Sequence, residues 1–370
     1  MKPRVSLVEC RSYEPDLVVH ALRSAVDLLG GLAAFIKPAS RVLVKPNLLS
    51  AADPASAVDT HPQVVRAAVK LLKEMDCRVF IGDGPSLFGN QEVDRVYERS
   101  GIKEVAAREK VELVTFTGRR WQGQFPLVSF LDECDHVLSL PKFKTHQLVT
   151  LTGGIKNMYG LVAGTFKTEL HRKHFDAVNF SRVLVDIYAA VRPSLTIVDG
   201  ILAMEGDGPG SSGTPRPAGV VLAGSDCVAI DSVMAKIMGL EPLDILTTKE
   251  AALRGLGTAD PDAIEICGRQ IKDVFGGPFR LPKASVIVRL PRPLVPAVQR
   301  LIRFYPQIDH AVCTRCAACV KVCPAKVISI RQARTRIDRR GCISCFCCQE
   351  TCPSSAIRIK KSLCAKVIGL

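Results

Sequence analysis

Eight cysteines near the carboxyl end carry one spacing twice. Cys313-x2-Cys316-x2-Cys319-x3-Cys323-Pro324 returns 29 residues later as Cys342-x2-Cys345-x2-Cys348-x3-Cys352-Pro353. Three thiols at steps of three wrap one face of a cubane, and the turn that follows carries the fourth thiol to the other cluster. The spacing therefore predicts two [4Fe–4S] clusters. Cys313, Cys316, Cys319 and Cys352 are expected to hold cluster I. Cys342, Cys345, Cys348 and Cys323 are expected to hold cluster II. Pro324 and Pro353 stop the chain continuing as helix and aim the remote ligand. Zinc sites draw on local ligands and do not repeat a Cys-Pro swap at constant offset. Cys347 is expected to be a thiol beside cluster II, with a substitute ligand as the alternative. Cys364 lies outside the repeat and is expected to be unliganded.

A second set of reactive side chains follows the ends of strand-like segments. Val42-Leu-Val ends in Lys45-Pro-Asn47, and Val79-Phe-Ile-Gly ends in Asp83. Val137-Leu-Ser-Leu-Pro leads into Lys142-Phe-Lys144-Thr-His146, and Ile197-Val ends in Asp199. Ligands of open α/β sheets bind beyond the carboxyl ends of the strands, so these residues are expected to share one rim. Lys156 and Asn157, in a glycine-flanked turn that could cradle an anion, are expected to join it. Glu205, in the glycine-rich run Glu205–Gly213, is expected to sit on a loop that closes over a ligand. Lysines at this density suit a carboxylate- or phosphate-bearing small molecule. Lys142, His146 and Asp83 are the expected catalytic groups, because burial brings lysine toward neutrality, where proton transfer works. Lys45, Asn47, Lys144, Lys156, Asn157, Asp199 and Glu205 are the expected substrate-binding groups. Strand-end turns without function are the alternative. His171 and His174 are not read as a metal pair, since no carboxylate–histidine motif surrounds them. Neither glycine-rich segment is a Walker loop or a dinucleotide fingerprint.

Strands and helices must hold these groups. Short runs apolar on both faces predict buried parallel strands at Val5–Val8, Arg41–Val44, Arg78–Ile81, Val111–Thr115, His136–Leu140, Ser194–Val198, Gly219–Ala223 and Ala263–Ile266. Helices are expected between them at Asp16–Leu32, Gln63–Met75, Gln91–Arg99, Ala177–Val191, Cys227–Met238 and Asp244–Arg254. Alternation of this kind predicts a layered α/β domain over residues 1–270 with a mostly parallel sheet. A proline-rich connector, 271–307, with one short helix over 294–304, is expected to lead into a small α+β ferredoxin-like domain at 308–360. Its two halves are expected to bury Val312, Ile328, Ile330, Ile337, Ile357 and Ile359 around the clusters.

Composition narrows the function classes. The chain has 370 residues, is 47% hydrophobic and carries 15 cysteines. Ten of these fall in the last 58 residues, and a disulfide scaffold would need a small chain in a secretory context, so the dense group reads as metal ligation. No apolar run reaches the roughly 20 residues that cross a bilayer, and the amino terminus has no signal-like core. The expected location is a reducing cytoplasm. Residues 301–370 contribute +10 of the net +14. Two oxidised clusters with their thiolates offset part of that, and no stacking aromatics interleave the charges as they do in single-strand nucleic-acid binders. Nucleic acid is therefore not an expected partner.

The ordered segments Val44-Lys-Pro-Asn47, Thr60-His-Pro62, Gly82-Asp-Gly-Pro85, Leu140–His146, Gly154-Ile-Lys-Asn157, Val198-Asp-Gly200, Glu205–Pro209 and Gly224–Asp231 resemble the prokaryotic "domain of unknown function 362" family. Many members of that family carry a bacterial-type ferredoxin module at the carboxyl end. The resemblance spans nearly the whole chain and implies a cytoplasmic iron–sulfur protein with no assigned reaction. The residues themselves support a redox enzyme that couples low-potential electrons to a reaction on an anionic small molecule, served by a redox partner or ferredoxin-type donor. The alternative is a non-catalytic electron-transfer or redox-sensing module that docks a partner. The sequence does not fix the oligomeric state.

Overall fold

The computed structural model describes residues 2–85, 90–164, 166–174, 176–282 and 304–362. The front domain is built on strands β1 (Arg4–Glu9), β2 (Arg41–Pro46), β3 (Arg78–Ile81), β4 (Glu112–Leu113), β7 (His136–Leu140), β10 (Leu195–Gly206), β11 (Gly213–Gly224) and β12 (Glu265–Gly268). They lie in the order β12-β1-β11-β10-β7-β2-β3-β4. A small antiparallel hairpin, β5 (Arg119–Gln122) with β6 (Phe125–Val128), lies apart. Every neighbouring pair in the main order is parallel except those made by β11, which runs antiparallel to both β1 and β10. Strand β8 (Lys142–His146) continues beside β10, in parallel, from where β7 stops, and β9 (Thr150–Thr152) folds back against it.

Alternation along the strands places a helical layer on each face. Val42, Val44, Val79, Ile81, Leu138 and Leu140 pack with helices α1 (Pro15–Asp27), α2 (Pro62–Lys73), α3 (Asn90–Arg99) and α4 (Ile102–Glu109). Leu43, Phe80 and Val137 point the other way, toward α5 (Gly154–Asn157), α6 (Phe166–Lys173), α7 (Ala177–Ala190) and α9 (Leu246–Leu253). Val5, Leu7, Val220 and Leu222 on that same face cover α8 (Cys227–Ile237). Local chemistry fixes the helix ends. Pro62 opens α2 behind His61, whose Nδ1 accepts from Gln63 N. Asp226 caps α8 by accepting from Val228 N and Ala229 N. The first helix stops at Asp27, short of the expected Leu32. Gly30 and Gly31 take φ of +105° and +90° there, which breaks the helix.

The largest departure from expectation is β10–β11. Each strand is 12 residues long, and together they form a protruding hairpin. Gly200, Gly206 and the glycine-rich run read locally as a loop. Cross-strand pairing of Ala203 with Arg216 and of Glu205 with Thr214 overrides that reading. Conversely, β4 shrinks to two residues at the sheet edge. The front domain also runs past residue 270. Helix α10 (Ile271–Val274) and buried Phe279 pack against α8, and Arg280 binds Glu205.

The carboxyl-terminal module pairs β13 (Phe304–Ile308) with β16 (Ile357–Lys361), and β14 (Ile328–Arg331) with β15 (Arg334–Ile337). Short helices α11 (Ala318–Val322) and α12 (Cys347–Glu350) follow the two ligand loops. Ile328, Ile357 and Ile359 are buried as expected, and Ile337 is half-buried. Val312 and Ile330 are not, at 44% and 39% exposure. Ile330 sits one residue from the hairpin tip, and Val312 lies on the open run before Cys313, so neither reaches the core. Of the expected connector helix, residues 294–303 lie outside the described residues, as does Cys364, and Phe304 opens β13 instead.

Candidate functional site

The cysteines of the two motifs gather around two cavities. One cavity is lined by Cys313, Cys316, Cys319 and Cys352. A second is lined by Cys323, Cys342, Cys345 and Cys348. Each wall therefore takes three thiols from one motif and the fourth from the other. Among the described residues, no three His, Cys, Asp or Glu side chains converge on a single ion. Thiols spaced around a void fit a cluster, whereas one zinc needs four donors at one point. Cys347 lines neither cavity. It is buried on α12 and lies near Lys156 and Tyr159 of the front domain.

Front-domain lysines occupy the interior. Lys45, Lys142 and Lys144 have essentially no exposed surface. A buried ammonium costs several kcal/mol unless it is paired and hydrogen-bonded, and aspartates supply the pairing. Lys45 Nζ lies 2.7 Å from Asp83 Oδ1 and donates to Asn157 Oδ1 at 3.2 Å. Asp83 Oδ2 also accepts from Leu48 N at 2.7 Å. Lys142 Nζ donates to Asp199 Oδ2 and to the Tyr13 hydroxyl, both at 2.8 Å. Tyr13 in turn donates to Asp199 Oδ1 at 2.8 Å and stacks on His61 at 3.5 Å. Lys144 donates to Val58 O and faces buried Asp59. Burial pushes Lys45, Lys142 and Lys144 below the usual lysine range, Lys144 to about 7, while the aspartates oppose the shift.

Strand periodicity explains the array. Lys142, Lys144 and His146 occupy alternate positions of β8 and so project to one side. Lys144 also interacts with Lys156, Glu350 and Lys142, while Lys156 interacts with Lys45 and Asp83. The expected rim residues are thus brought together, but as an ion-paired interior rather than an open basic pocket. Lys156 differs from the others. It keeps partial exposure and makes no hydrogen bond or ion pair among the described residues. Asn47 lies alongside, with its backbone held by Thr60 Oγ1 at 2.8 Å and its side-chain Oδ1 buried without a partner.

Two expectations are corrected. The turn before Lys156 does not await an external anion, because Asp231 Oδ1 and Oδ2 already accept from Gly154 N and Ile155 N at 2.7 and 3.3 Å. Glu205 does not reach over a ligand either. Arg216 and Arg280 hold it at 2.8 and 2.6 Å on the β10–β11 hairpin. The glycine-rich tip of that hairpin grips the cysteine module instead. Gln349 Nε2 donates to Asp207 O at 3.1 Å, and Ser211 Oγ donates to Cys352 O at 3.2 Å.

The module thereby places α12 over the lysine array. His146 Nδ1 accepts from Leu148 N and Val149 N, so its proton sits on Nε2. Nε2 lies 3.5 Å from Glu350 Oε1. Burial, then the charges of Lys156, His171 and Lys144, holds His146 well below the ordinary imidazole range. Burial raises Glu350, opposed by Lys156 and Lys144. His171 stacks on Phe180 at 4.2 Å, and its Nδ1 is buried without a partner. Tyr13, Asp59 and Glu350 were not legible as site residues. Tyr13 stands 186 positions from Asp199, and Glu350 lies inside the cysteine motif, where spacing arguments attend to thiols.

A family described as "Domain of unknown function (DUF362)" matches residues 42–236. A 4Fe-4S dicluster domain family matches residues 305–353. Thylakoid-associated protein sll1697 of Synechocystis sp. (strain ATCC 27184 / PCC 6803 / Kazusa) is 37% identical over 273 residues, covering 72% of this chain and 83% of that protein. The lactate racemase apoprotein from Thermoanaerobacterium thermosaccharolyticum shares 13% identity at a TM-score of 0.36, over 61% of this chain and 54% of that one. No helix among the described residues is long and apolar enough to cross a membrane. Front-domain motifs and cysteine repeat agree with these matches: the chain belongs to the DUF362 family and carries a carboxyl-terminal 4Fe-4S dicluster domain, the mark of an iron–sulfur electron-transfer protein.

Proposed function

We propose that this chain is an iron–sulfur oxidoreductase that holds two [4Fe–4S] clusters and reduces an anionic small molecule at the seam between its domains. Cys313, Cys316, Cys319 and Cys352 hold one cluster, and Cys342, Cys345, Cys348 and Cys323 hold the other. When bound, the clusters supply single electrons at low potential. One observation carries the reading. The segment between Cys348 and Cys352 approaches His146 to 3.5 Å through Glu350, which puts the front-domain polar groups one helical turn from cluster ligands.

The chain's own residues have separable tasks there. Lys156, without an internal partner, binds the carboxylate or phosphate of the substrate. His146 holds a proton on Nε2 and presents it toward the seam. Lys45 with Asp83, and Lys142 with Asp199, set the positive field of the site and fix β2 and β8. The completeness of those pairs favours the second reading, a module that transfers electrons without chemistry of its own. A chain with so many cysteines and two clusters suits a reducing compartment, the cytoplasm.

Anaerobic purification with iron and sulfide analysis tests the cofactor claim, with about eight of each expected per chain. Screening carboxylates and phosphates for those that alter the paramagnetic resonance of the reduced protein tests the site. A responsive anion whose effect disappears in Lys156→Ala supports the enzyme. Silence across the screen with both clusters present leaves the electron-transfer module.

A further inference from the structure

From His310 to Ile337 the chain contains no Asp or Glu and six basic residues: Arg315, Lys321, Lys326, Arg331, Arg334 and Arg336. All six are exposed, and among the described residues none makes an ion pair. The other half of the module is different. Arg358 pairs with Asp309 at 3.1 Å, and Arg339 stacks on Tyr305 at 4.2 Å. An oxidised four-iron cluster with its thiolates carries about −2, so cluster I does not neutralise this patch.

The patch lies over the cluster I thiols. Thr335 Oγ1 is 3.5 Å from Cys313 Sγ, and Thr335 lines the same cavity as Cys316. Arg334 and Arg336 flank Thr335 on β15, and Arg331 pairs with Arg334 across the hairpin. Strand alternation turns these three arginines to the outer face. Cys316 is an exposed thiol, and Val312 and Ile330 are exposed aliphatics beside the same ligand loop and hairpin. A row of unpaired arginines on the outer face of a hairpin whose inner face meets the cluster thiols is the anatomy of an electrostatically steered interface. The α12 side of the module is already covered by the front domain, and Cys316 and Lys321 face Ser50, Ala51, Glu92 and Arg95 of that domain across a cleft, which leaves the β14–β15 hairpin as the open face.

We propose that the outer face of the β14–β15 hairpin forms the docking surface for a small acidic one-electron carrier protein, which delivers electrons to cluster I. The inference rests on the two-cluster reading. In the step, the carrier is oxidised by one electron and cluster I is reduced by one. No bond forms or breaks, and no proton moves. Two docking events supply a two-electron reduction at the seam.

The test uses the full-length protein, purified anaerobically with its clusters, and an acidic plant-type two-iron ferredoxin as the probe. Affinity is measured by calorimetry at low and high salt, and cluster reduction by stopped-flow absorbance with the ferredoxin pre-reduced. Binding should weaken about tenfold or more between low and high salt, as screening shortens the reach of surface charge. The combined variant Arg331→Glu, Arg334→Glu, Arg336→Glu should lose about tenfold or more in affinity and in reduction rate at low salt. Lys249→Glu, on an exposed front-domain position, should match the wild type in both. Dithionite, which needs no docking, should reduce the clusters of all three proteins alike. Salt-independent binding, or a triple variant that binds and is reduced like the wild type, overturns the proposal while the two-cluster reading stands. Stronger arginine-dependent binding to duplex DNA or to anionic vesicles also overturns it. A protein that purifies anaerobically without iron and sulfide overturns both.

Discussion

His146 Nε2 and Glu350 Oε1 face each other at 3.5 Å across the boundary between the two domains. Neither atom has a hydrogen-bond partner among the described residues, and both are buried. The separation is long for a direct hydrogen bond. A proton-bearing nitrogen and a carboxylate oxygen thus stand unsatisfied in a site that excludes solvent, which is costly unless a bound group completes it. The pair lies where α12 carries the chain from Cys348, which lines one cysteine cavity, toward Cys352, which lines the other.

The seam depends on a glycine. A Cβ on Gly210 would sit 2.9 Å from Glu350 O and 3.0 Å from its Cα. Both contacts are backbone, so the module would have to move. Gly210→Val should strain the interface by about 1–3 kcal/mol and leave iron and sulfide content unchanged. Hydrogen exchange should then rise in residues 207–211 and 347–351 together. Unchanged protection in both segments would mean that the hairpin tip does not hold the module.

The cysteine crossover is tested in a similar way. Cys323 comes from the first motif but lines the cavity of Cys342, Cys345 and Cys348, while Cys352 does the reverse. Cys323→Ala should alter the resonance of cluster II and spare cluster I, and Cys352→Ala should do the opposite. Damage confined to the cluster of each residue's own motif would refute the swapped ligation.

Spacing made the cysteine module legible because cluster geometry dictates it residue by residue. The sheet was legible for a related reason: β7 falls at His136–Leu140 as its apolar run indicates. The hairpin was not legible, since Ala203–Arg216 pairing is a tertiary fact and the glycines nearby look like a loop. Among the rim groups, residue type and strand-end position identified Lys45, Lys142 and Lys144. Their neutralisation was hidden because the partners sit on other elements. Asp199 meets Lys142 only when β10 and β8 align, and Tyr13 reaches both from a helix approach far upstream.

The lysines should divide sharply on substitution. Lys142→Ala removes the counter-ion of fully buried Asp199 and a donor to Tyr13. Breaking such a pair typically costs about 3–5 kcal/mol, so urea unfolding of the front domain should shift by that order. Lys156 has no bonded partner to orphan, and Lys156→Ala should cost less than about 1 kcal/mol. It should nevertheless remove the response of the reduced clusters to carboxylates or phosphates. Equal destabilisation by the two substitutions would show that Lys156 is another structural lysine.

His61 gives the front domain a pH dependence of known sign. Its Nδ1 accepts from Gln63 N at 3.2 Å and caps α2, and its ring stacks on Tyr13. Protonation would set a donor against that donor. Burial lowers His61 to about 4 from an ordinary 6.5, with Asp199 acting in the opposite sense. The folded state therefore binds its proton more weakly than the unfolded chain does. The stability it contributes is complete above the unfolded value and is lost as pH falls toward the folded one. Between about pH 7.5 and about pH 5.5 that loss amounts to about 1 kcal/mol. His61→Asn keeps an oxygen acceptor at the cap and cannot titrate. Urea unfolding at the two pH values should show the wild type losing about 1 kcal/mol more than His61→Asn. Parallel losses would place the proton elsewhere and leave the cap of α2 indifferent to acid.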